Sequence, residues 1–192
     1  MAKIFKTPTL ETKRLILKQP TIEDAPAIQT HFNNWNIIKN LLDTVPWPYP
    51  DDGAHTFLKD SILPRVASGD ALLWALRLKE KPNNPIGLIE FRKNPIDRDD
   101  NRGFWLAEPY WKQGFMTEAV SRVNDYIFEE LNIQRIVICN FEGNEGSRRV
   151  KQKTGAKFIS ICEKPHHEGK IKSEIWELTA ENWKKFKKNN SE

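Results

Sequence analysis

The sequence has little of what marks the commonest specialised classes. Its 192 residues include two cysteines, Cys139 and Cys162, at a spacing that supports no zinc site. Each lies in an apolar, strand-like run, so both are expected to be reduced thiols acting as small hydrophobes. No apolar run approaches the ~20 residues needed to span a bilayer. Met1 to Lys6 lacks the apolar stretch of about 7–15 residues that a secretory signal carries. A cytoplasmic location without membrane association is therefore expected. Internal repeats, low-complexity tracts and Gly/Ser linkers are absent, as are the glycine-rich P-loop and dinucleotide fingerprints. The net charge of +4, from 30 basic and 26 acidic residues, is too small to argue for specific nucleic-acid binding. Part of it sits in the tail Lys184-Lys185-Phe186-Lys187-Lys188, which reads either as the solvated face of a last helix or as a contact for an acidic partner.

What is present fits one domain over 1–192, with a core over about 10–180 and extensions at 1–9 and 181–192. Arg14 to Lys18 alternates as a strand. Thr21 and Asp24 form a capping box opening a helix with Ile22, Ala25, Ile28 and Phe32 at helical spacing. A short helix is predicted over Trp35 to Leu42 and another over Ala54 to Ala67. Between them, Pro46-Trp47-Pro48-Tyr49-Pro50 is a stiff aromatic loop, because its prolines fix φ and remove donors. Strands are predicted at Leu72–Leu78 and Ile86–Arg92, with the turn at Asn83-Asn84-Pro85. Asp97 to Asn101 is a polar turn, and Gly103–Ala107 a further strand. A long helix from Thr117 to Leu131 carries the apolar stripe Val120, Val123, Ile127 and Leu131. Then come a strand at Arg135–Cys139, a polar helix at Asn144–Thr154 closed by Gly155, and strands at Phe158–Cys162 and Ile171–Thr179. This order implies an α/β (α+β) fold: a mixed, mostly antiparallel sheet with helices on both faces.

Two segments carry chemistry. In the first, Gly114 stands just before the long helix. The first-turn N–H groups of a helix lack internal partners and feel the macrodipole, so such a place suits a phosphate or pyrophosphate. Gly114 would allow close backbone approach and Lys112 would add a charge at the rim. Alone, this pattern also describes an ordinary strand-to-helix turn. In the second, Asn144-Glu145-Gly146-Ser147 opens a helix, with Asn144 a candidate N-cap and Ser147 a first-turn polar residue.

Together these segments resemble the GNAT superfamily of N-acetyltransferases, and more narrowly its ribosomal-protein alanine N-terminal acetyltransferases. The resemblance runs over nearly the whole chain. It begins at Glu11-Thr12-Lys13-Arg14-Leu15-Ile16-Leu17 and continues through Thr21 to Ala25 and the proline-rich loop. It is sharpest at Gly103-Phe104-Trp105-Leu106 with Tyr110-Trp111-Lys112-Gln113-Gly114-Phe115-Met116-Thr117-Glu118-Ala119, and at Asn144-Glu145-Gly146-Ser147 with Lys153-Thr154-Gly155-Ala156.

The resemblance implies a seven-stranded sheet whose strands 103–107 and 135–139 splay to admit acetyl-CoA, with no metal. Backbone groups of Trp105, Leu106 and Ala107 would pair with the pantetheine arm. The N–H groups of Gln113, Gly114, Phe115, Met116 and Thr117, with Lys112, would hold the pyrophosphate. Asn144 and Ser147 would lie near the thioester. Met116 replaces a smaller family residue and must turn its side chain away.

Many relatives place a tyrosine acid seven residues after the Asn. Here that position is Lys151, so Ser147 becomes the candidate for hydrogen-bonding the leaving thiol. Glu90 and His166 are candidate bases, against readings as a solvent-facing strand residue and an exposed hairpin residue. Trp35, Trp47 and Tyr49 either wall the acceptor site or cap the core. The implied reaction transfers acetyl to an amine, most simply the N-terminal α-amine of a ribosomal or similar protein. A small-molecule amine acetyltransferase and a CoA-binding module without turnover are the alternatives, and the chain would be a monomer or homodimer.

Overall fold

The computed structural model describes residues 6–93 and 100–190. Asp97 to Asp99 of the expected polar turn lie outside these residues.

Side chains alternate across a strand, so a strand with apolar residues at every position must be covered on both faces. β3 (Ala71–Leu78) is such a strand, buried along its whole length. Leu72, Trp74 and Leu76 face one core layer together with Leu15, Leu17, Ile89, Phe91, Phe115, Val120 and Val123. Ala71, Leu73 and Ala75 face a second layer built with Ile28, Phe32, Leu58, Ile62 and Leu88. Each fully buried aliphatic side chain contributes about 1.5–3 kcal/mol.

β3 is central to a five-stranded antiparallel sheet in the order β1 (Leu10–Glu11), β2 (Leu15–Lys18), β3, β4 (Lys81–Arg92), β5 (Arg102–Leu106). A second antiparallel sheet holds β6 (Arg135–Phe141), β8 (Gly169–Thr179) and β7 (Lys157–His166) in that order. On the second core layer lie α1 (Ala25–Phe32) and a helix running from α3 (Gly53–Thr56) to α4 (Leu63–Ser68); the short α2 (Trp35–Ile38) follows α1. On the first lie α5 (Phe115–Asp125) and α7 (Ala180–Asn189); α6 (Glu145–Gln152) also packs against α5. Between α3 and α4, Phe57–Ile62 widens into π-type turns. Pro64 follows directly, and its ring would collide with the carbonyl four residues back in a regular α-helix.

Three expectations change. The single seven-stranded sheet is instead eight strands in two sheets, because no ladder joins β5 to β6 among the described residues. The turn between β3 and β4 falls at Lys79–Glu80, not at Asn83-Asn84-Pro85. Those residues continue β4, with the register shifting between Leu76 and Leu78. Pro85 stands opposite Arg77 at that register shift, where a bulge interrupts the regular ladder and tolerates a residue without an N–H. Lys187 in the basic tail is not simply solvated: its ammonium bonds Asp125 and Glu129, at 2.7 Å each, and ties α7 to α5.

One residue stitches the two sheets together. The Asn101 N–H donates to the Val137 carbonyl and its Oδ1 accepts from the Val137 N–H, both at 2.8 Å. Its Nδ2 donates to Arg92 O at 3.1 Å. Beyond this point β5 and β6 are left unzipped. Asn101→Ala removes two of these bonds and strands the Val137 N–H. Urea denaturation should show a loss of about 1–3 kcal/mol with an unchanged m-value.

Candidate active site

The loop between β5 and α5 is built to leave backbone donors free. After Ala107 the chain makes one 3₁₀ turn, Glu108–Tyr110. The Trp111 indole then folds back to donate to Leu106 O at 2.6 Å, and the Gln113 amide donates to Pro109 O at 2.8 Å. Lys112 and Gly114 both take the left-handed conformation, at φ 62° and 82°. Gly114 caps α5, and the first bond into the helix runs from Glu118 N to Gly114 O at 3.0 Å. The N–H groups of Phe115, Met116 and Thr117 precede that bond and meet no acceptor among the described residues. Residues 112–114 are exposed, whereas the Phe115 and Met116 side chains are buried in the first core layer. Met116 thus offers its N–H and keeps its thioether inside.

Two segments that are far apart in sequence lock this loop. The Glu118 carboxylate accepts from the Thr12 hydroxyl at 2.6 Å, the Arg14 N–H at 2.9 Å and the Arg14 Nε at 2.7 Å. Desolvation, the largest influence, pushes this carboxyl up, but these bonds together hold it below its ordinary range. The Arg14 guanidinium also donates to Gln113 O at 3.1 Å and lies 4.1 Å from the centre of the Phe115 ring. It therefore places a cation beside the free amides. Glu108, on the other side, accepts from the side chains of Asn34 (2.6 Å) and Asn36 (3.2 Å), tying the loop to α2.

The cleft between β5 and β6 is lined by backbone. Ala107 N donates to Ile86 O and Arg92 N donates to Asn101 O, both at 2.8 Å, so odd-numbered residues of this segment bond towards β4. By the alternation of an antiparallel ladder, the Phe104 and Leu106 backbone groups face away from β4. The Leu106 carbonyl is taken by Trp111, which leaves the Leu106 N–H and both Phe104 groups on the cleft side. This differs from the expectation of Trp105 to Ala107 as the pairing segment. Ala107 is bonded at both its N–H and its carbonyl, the latter to Tyr110 N at 3.0 Å. The Trp105 ring packs on Phe32, with centroids 5.0 Å apart. Phe104 belongs to the quoted motif but not to the expected pairing residues, because the phase of an alternation cannot be read from a motif.

At the far end of the cleft, Asn144 caps α6 by accepting from Ser147 N at 3.1 Å. One helical turn on, Lys151 donates from its ammonium to Ser147 Oγ at 2.7 Å. Lys151 is fully buried. Desolvation pulls its pKa down to about 7, with Arg102 acting in the same direction and Asp100, Cys139 and Glu174 opposing. Arg102, also buried, donates to Asn124 Oδ1 at 2.6 Å, while its Nε and other terminal nitrogen have no partner among the described residues. Burial pulls its pKa down to about 10 and pushes the Asp100 carboxyl up. The Cys139 thiol is pushed up to about 11, first by desolvation and then by Asp100. It is neutral, and both Cys139 and Cys162 are half-buried.

The two expected bases are engaged elsewhere. Glu90 pairs with Arg92 at 2.7 Å and Arg65 at 3.0 Å, one through each oxygen. Arg92 reaches it across Gly103, where a Cβ would come within 2.7 Å of the guanidinium. Each oxygen neutralises an arginine, so the carboxylate serves as the centre of an ion-pair cluster. His166 is buried, not exposed on a hairpin: its Nε2 lies 2.7 Å from Lys39 O, and its Nδ1 accepts from Glu168 N. Nε2 must therefore carry the proton, and the accepting nitrogen is occupied, so the ring clips β7 to the end of α2.

The aromatic loop divides. Tyr49 is buried edge-on against Phe32 and packed so tightly that a Cβ on Gly53 would meet its ring at 2.7 Å. Burial pushes its phenol up to about 12. Tyr49 is thus a core plug. Trp47 is exposed and pairs with half-buried Trp35 at 5.2 Å, and Trp35 in turn meets His167 at 5.5 Å. Those two tryptophans form a surface wall.

The family model for the acetyltransferase (GNAT) domain matches residues 14–157. An uncharacterised N-acetyltransferase, p20 of Bacillus licheniformis, is 30% identical over 131 residues, covering 67% of this chain and 70% of that protein. Among solved structures, the ribosomal-protein-S5-alanine acetyltransferase of Vibrio fischeri superposes with a TM-score of 0.75 at 17% identity, over 92% of this chain and 98% of that one. RimL, a ribosomal α-N-protein acetyltransferase solved in complex with coenzyme A, gives a TM-score of 0.75 at 18% identity over 90% and 98%. At these identities the superpositions speak for the fold alone. The free amides before α5, the unzipped strands and the matching family model agree: this chain belongs to the GNAT acetyltransferase family.

Proposed function

We propose that the protein transfers an acetyl group from acetyl-CoA to the N-terminal α-amine of a ribosomal or similar protein. The amides from Gln113 to Thr117 hold the pyrophosphate, with Lys112 and Arg14 supplying positive charge. The residues fit that group: Gly114 presents no Cβ, and Met116 is turned inward. The backbone edge of Phe104 and Leu106 takes the pantetheine arm as a missing strand, flanked by Trp105 and Ala107. Asn144 and Ser147 stand at the thioester end. Trp35 and Trp47 form one wall of the acceptor side. RimL's complex with coenzyme A and the ribosomal-protein enzymes among the fold neighbours support the reading.

The observation that carries the choice of acceptor is that Glu90, the carboxylate expected to act as base, is already paired with two arginines. Glu90, Glu118 and Glu174 are all bonded to arginine: Glu174 takes Arg148 Nε at 2.9 Å as well as Asn140 and Trp176. A lysine amine, with pKa about 10.4, needs a strong base at neutral pH. An α-amine, at about 7.7–8.0, is already partly neutral. The gap of roughly 2.5 units is worth about 3.4 kcal/mol. A polyamine would call for a deep acidic pocket. The shallow depression at Thr30, His31, Asn34, Glu108 and Pro109 holds one carboxylate, already bonded to two asparagines.

Assayed with acetyl-CoA against N-terminal peptides and small amines, the protein should acetylate the peptides. Preference for a small amine would replace the acceptor assignment, and CoA binding without turnover on any amine would replace the enzyme with a binding module. CoA at about 100 times its Kd should add ~2.7 kcal/mol to stability in a thermal-shift series. No shift at millimolar CoA sinks the site. Gly114→Ala forces a Cβ onto a left-handed residue beside the amides and should weaken CoA binding about tenfold, equivalent to ~1.4 kcal/mol, by calorimetry.

A further inference from the structure

We infer that Ser147 and Lys151 form a proton-delivery pair, in which the Ser147 hydroxyl protonates the departing thiolate and the Lys151 ammonium replaces that proton. The inference rests on the proposed acetyl transfer and deepens it.

The geometry is directional. Lys151 donates to Ser147 Oγ at 2.7 Å, so that oxygen is the acceptor towards the lysine and its own O–H must point elsewhere. No acceptor for it exists among the described residues, and the neighbouring backbone N–H of Ser147 is fixed by Asn144 Oδ1. Both residues stand on the same face of α6, four apart. Lys151 is fully buried, yet among the described residues no carboxylate lies within ion-pair distance of it. Buried lysines that serve structure alone are paired, because an isolated buried charge is costly. Here the balance is set at longer range. Asp100 at the head of β5, Cys139 on β6 and Glu174 on β8 favour the ammonium, and Arg102 on β5 opposes it. Lys164 on β7 is turned to Cys139 Sγ at 3.4 Å, Arg148 on α6 is held by Glu174, and Asn124 on α5 faces Arg102. The Phe104 ring lies 5.8 Å from the ammonium. The outcome is a pKa of about 7, so charged and neutral forms coexist near neutrality, which suits an acid that must also be recharged.

The step balances. The acceptor nitrogen bonds to the carbonyl carbon and the C–S bond breaks, its electron pair passing to sulfur. Sulfur takes the Ser147 hydroxyl proton, and Ser147 Oγ takes a proton from Lys151 Nζ. The nitrogen sheds one proton to water, and water returns one to the neutral lysine before the next cycle. Amine and thioester have become amide and thiol.

Lys151→Met keeps an unbranched side chain in the buried site and removes the amine. Its kcat should fall at least tenfold, with KM for acetyl-CoA and the CoA thermal shift unchanged. The alkaline limb of the wild-type kcat profile, starting near pH 7, should vanish. Ser147→Ala leaves the lysine in place and should cause a similar loss, and the double variant should be no slower than either single one. In protein labelled at lysine Cε, the Lys151 resonance should titrate near pH 7 in the absence of any acceptor. An active wild type whose Lys151→Met and Ser147→Ala variants keep kcat within twofold and retain the alkaline limb overturns the pair alone. A merely structural lysine would show that result with a lowered melting temperature. A wild type that turns over no amine overturns the proposed function, and the pair with it.

Discussion

A β-strand edge is a row of unmet donors and acceptors, and a protein ordinarily pairs or covers it. Here the two inner edges of the sheets, on β5 and β6, are joined at Asn101 and then left apart. Everything else in the site follows from this open seam. The β5 edge offers Phe104 and Leu106 backbone groups, the loop beyond it ends in the free amides of α5, and α6 reaches the same opening from the β6 side. Closing the seam with a ladder would satisfy the backbone and abolish the cleft; the first core layer, which takes side chains from both β5 and β6, holds the flanking strands in place without it.

The amides before α5 are kept in place by charge rather than by bulk. Glu118 sits in the first turn, where the helix dipole favours an anion, and it is clamped by Thr12 and Arg14 from the start of the chain. The same arginine then bonds Gln113 O and leaves its positive face beside the loop. A single guanidinium thus fixes the helix to the start of β2 and sets a positive charge beside the free amides.

On the other side the polar groups are buried. Arg102, Asn124, Lys151 and Asn140 lie below the surface with more donors and acceptors than partners. In a low-dielectric interior, such incomplete satisfaction costs stability. It is found where the cleft meets α6, beside Ser147, whose hydroxyl accepts from the lysine. By contrast, Glu90 is held by two arginines and Glu174 by Arg148, Asn140 and Trp176, whereas Lys151 has only the Ser147 hydroxyl as its close polar partner among the described residues.

The periodic elements were legible in the sequence: β2, β3, α1, α5, α6 and the antiparallel hairpin of β7 and β8 stand within a few residues of their expected places, because apolar spacing and capping residues are local signals. So was the loop around Gly114, whose conformation demands a glycine. The turn at Lys79–Glu80 was not, since Asn83-Asn84-Pro85 is the stronger turn signal and was overridden by pairing with β3. Glu90, His166 and Tyr49 have side chains suited to chemistry, yet each is engaged by a residue from another element, at α4, the end of α2 and α1, and no spacing along the chain announces those contacts. Lys151 was visible as a departure from the family pattern; its function depends on what surrounds it. By itself, then, the sequence determined the elements, their order and the family, all of which rest on short-range periodicity and motif. Only the tertiary structure decided which strand edge stays open, which carboxylates are spent on arginines and how deeply one lysine is buried, because burial and charge pairing are properties of residues brought together from distant parts of the chain.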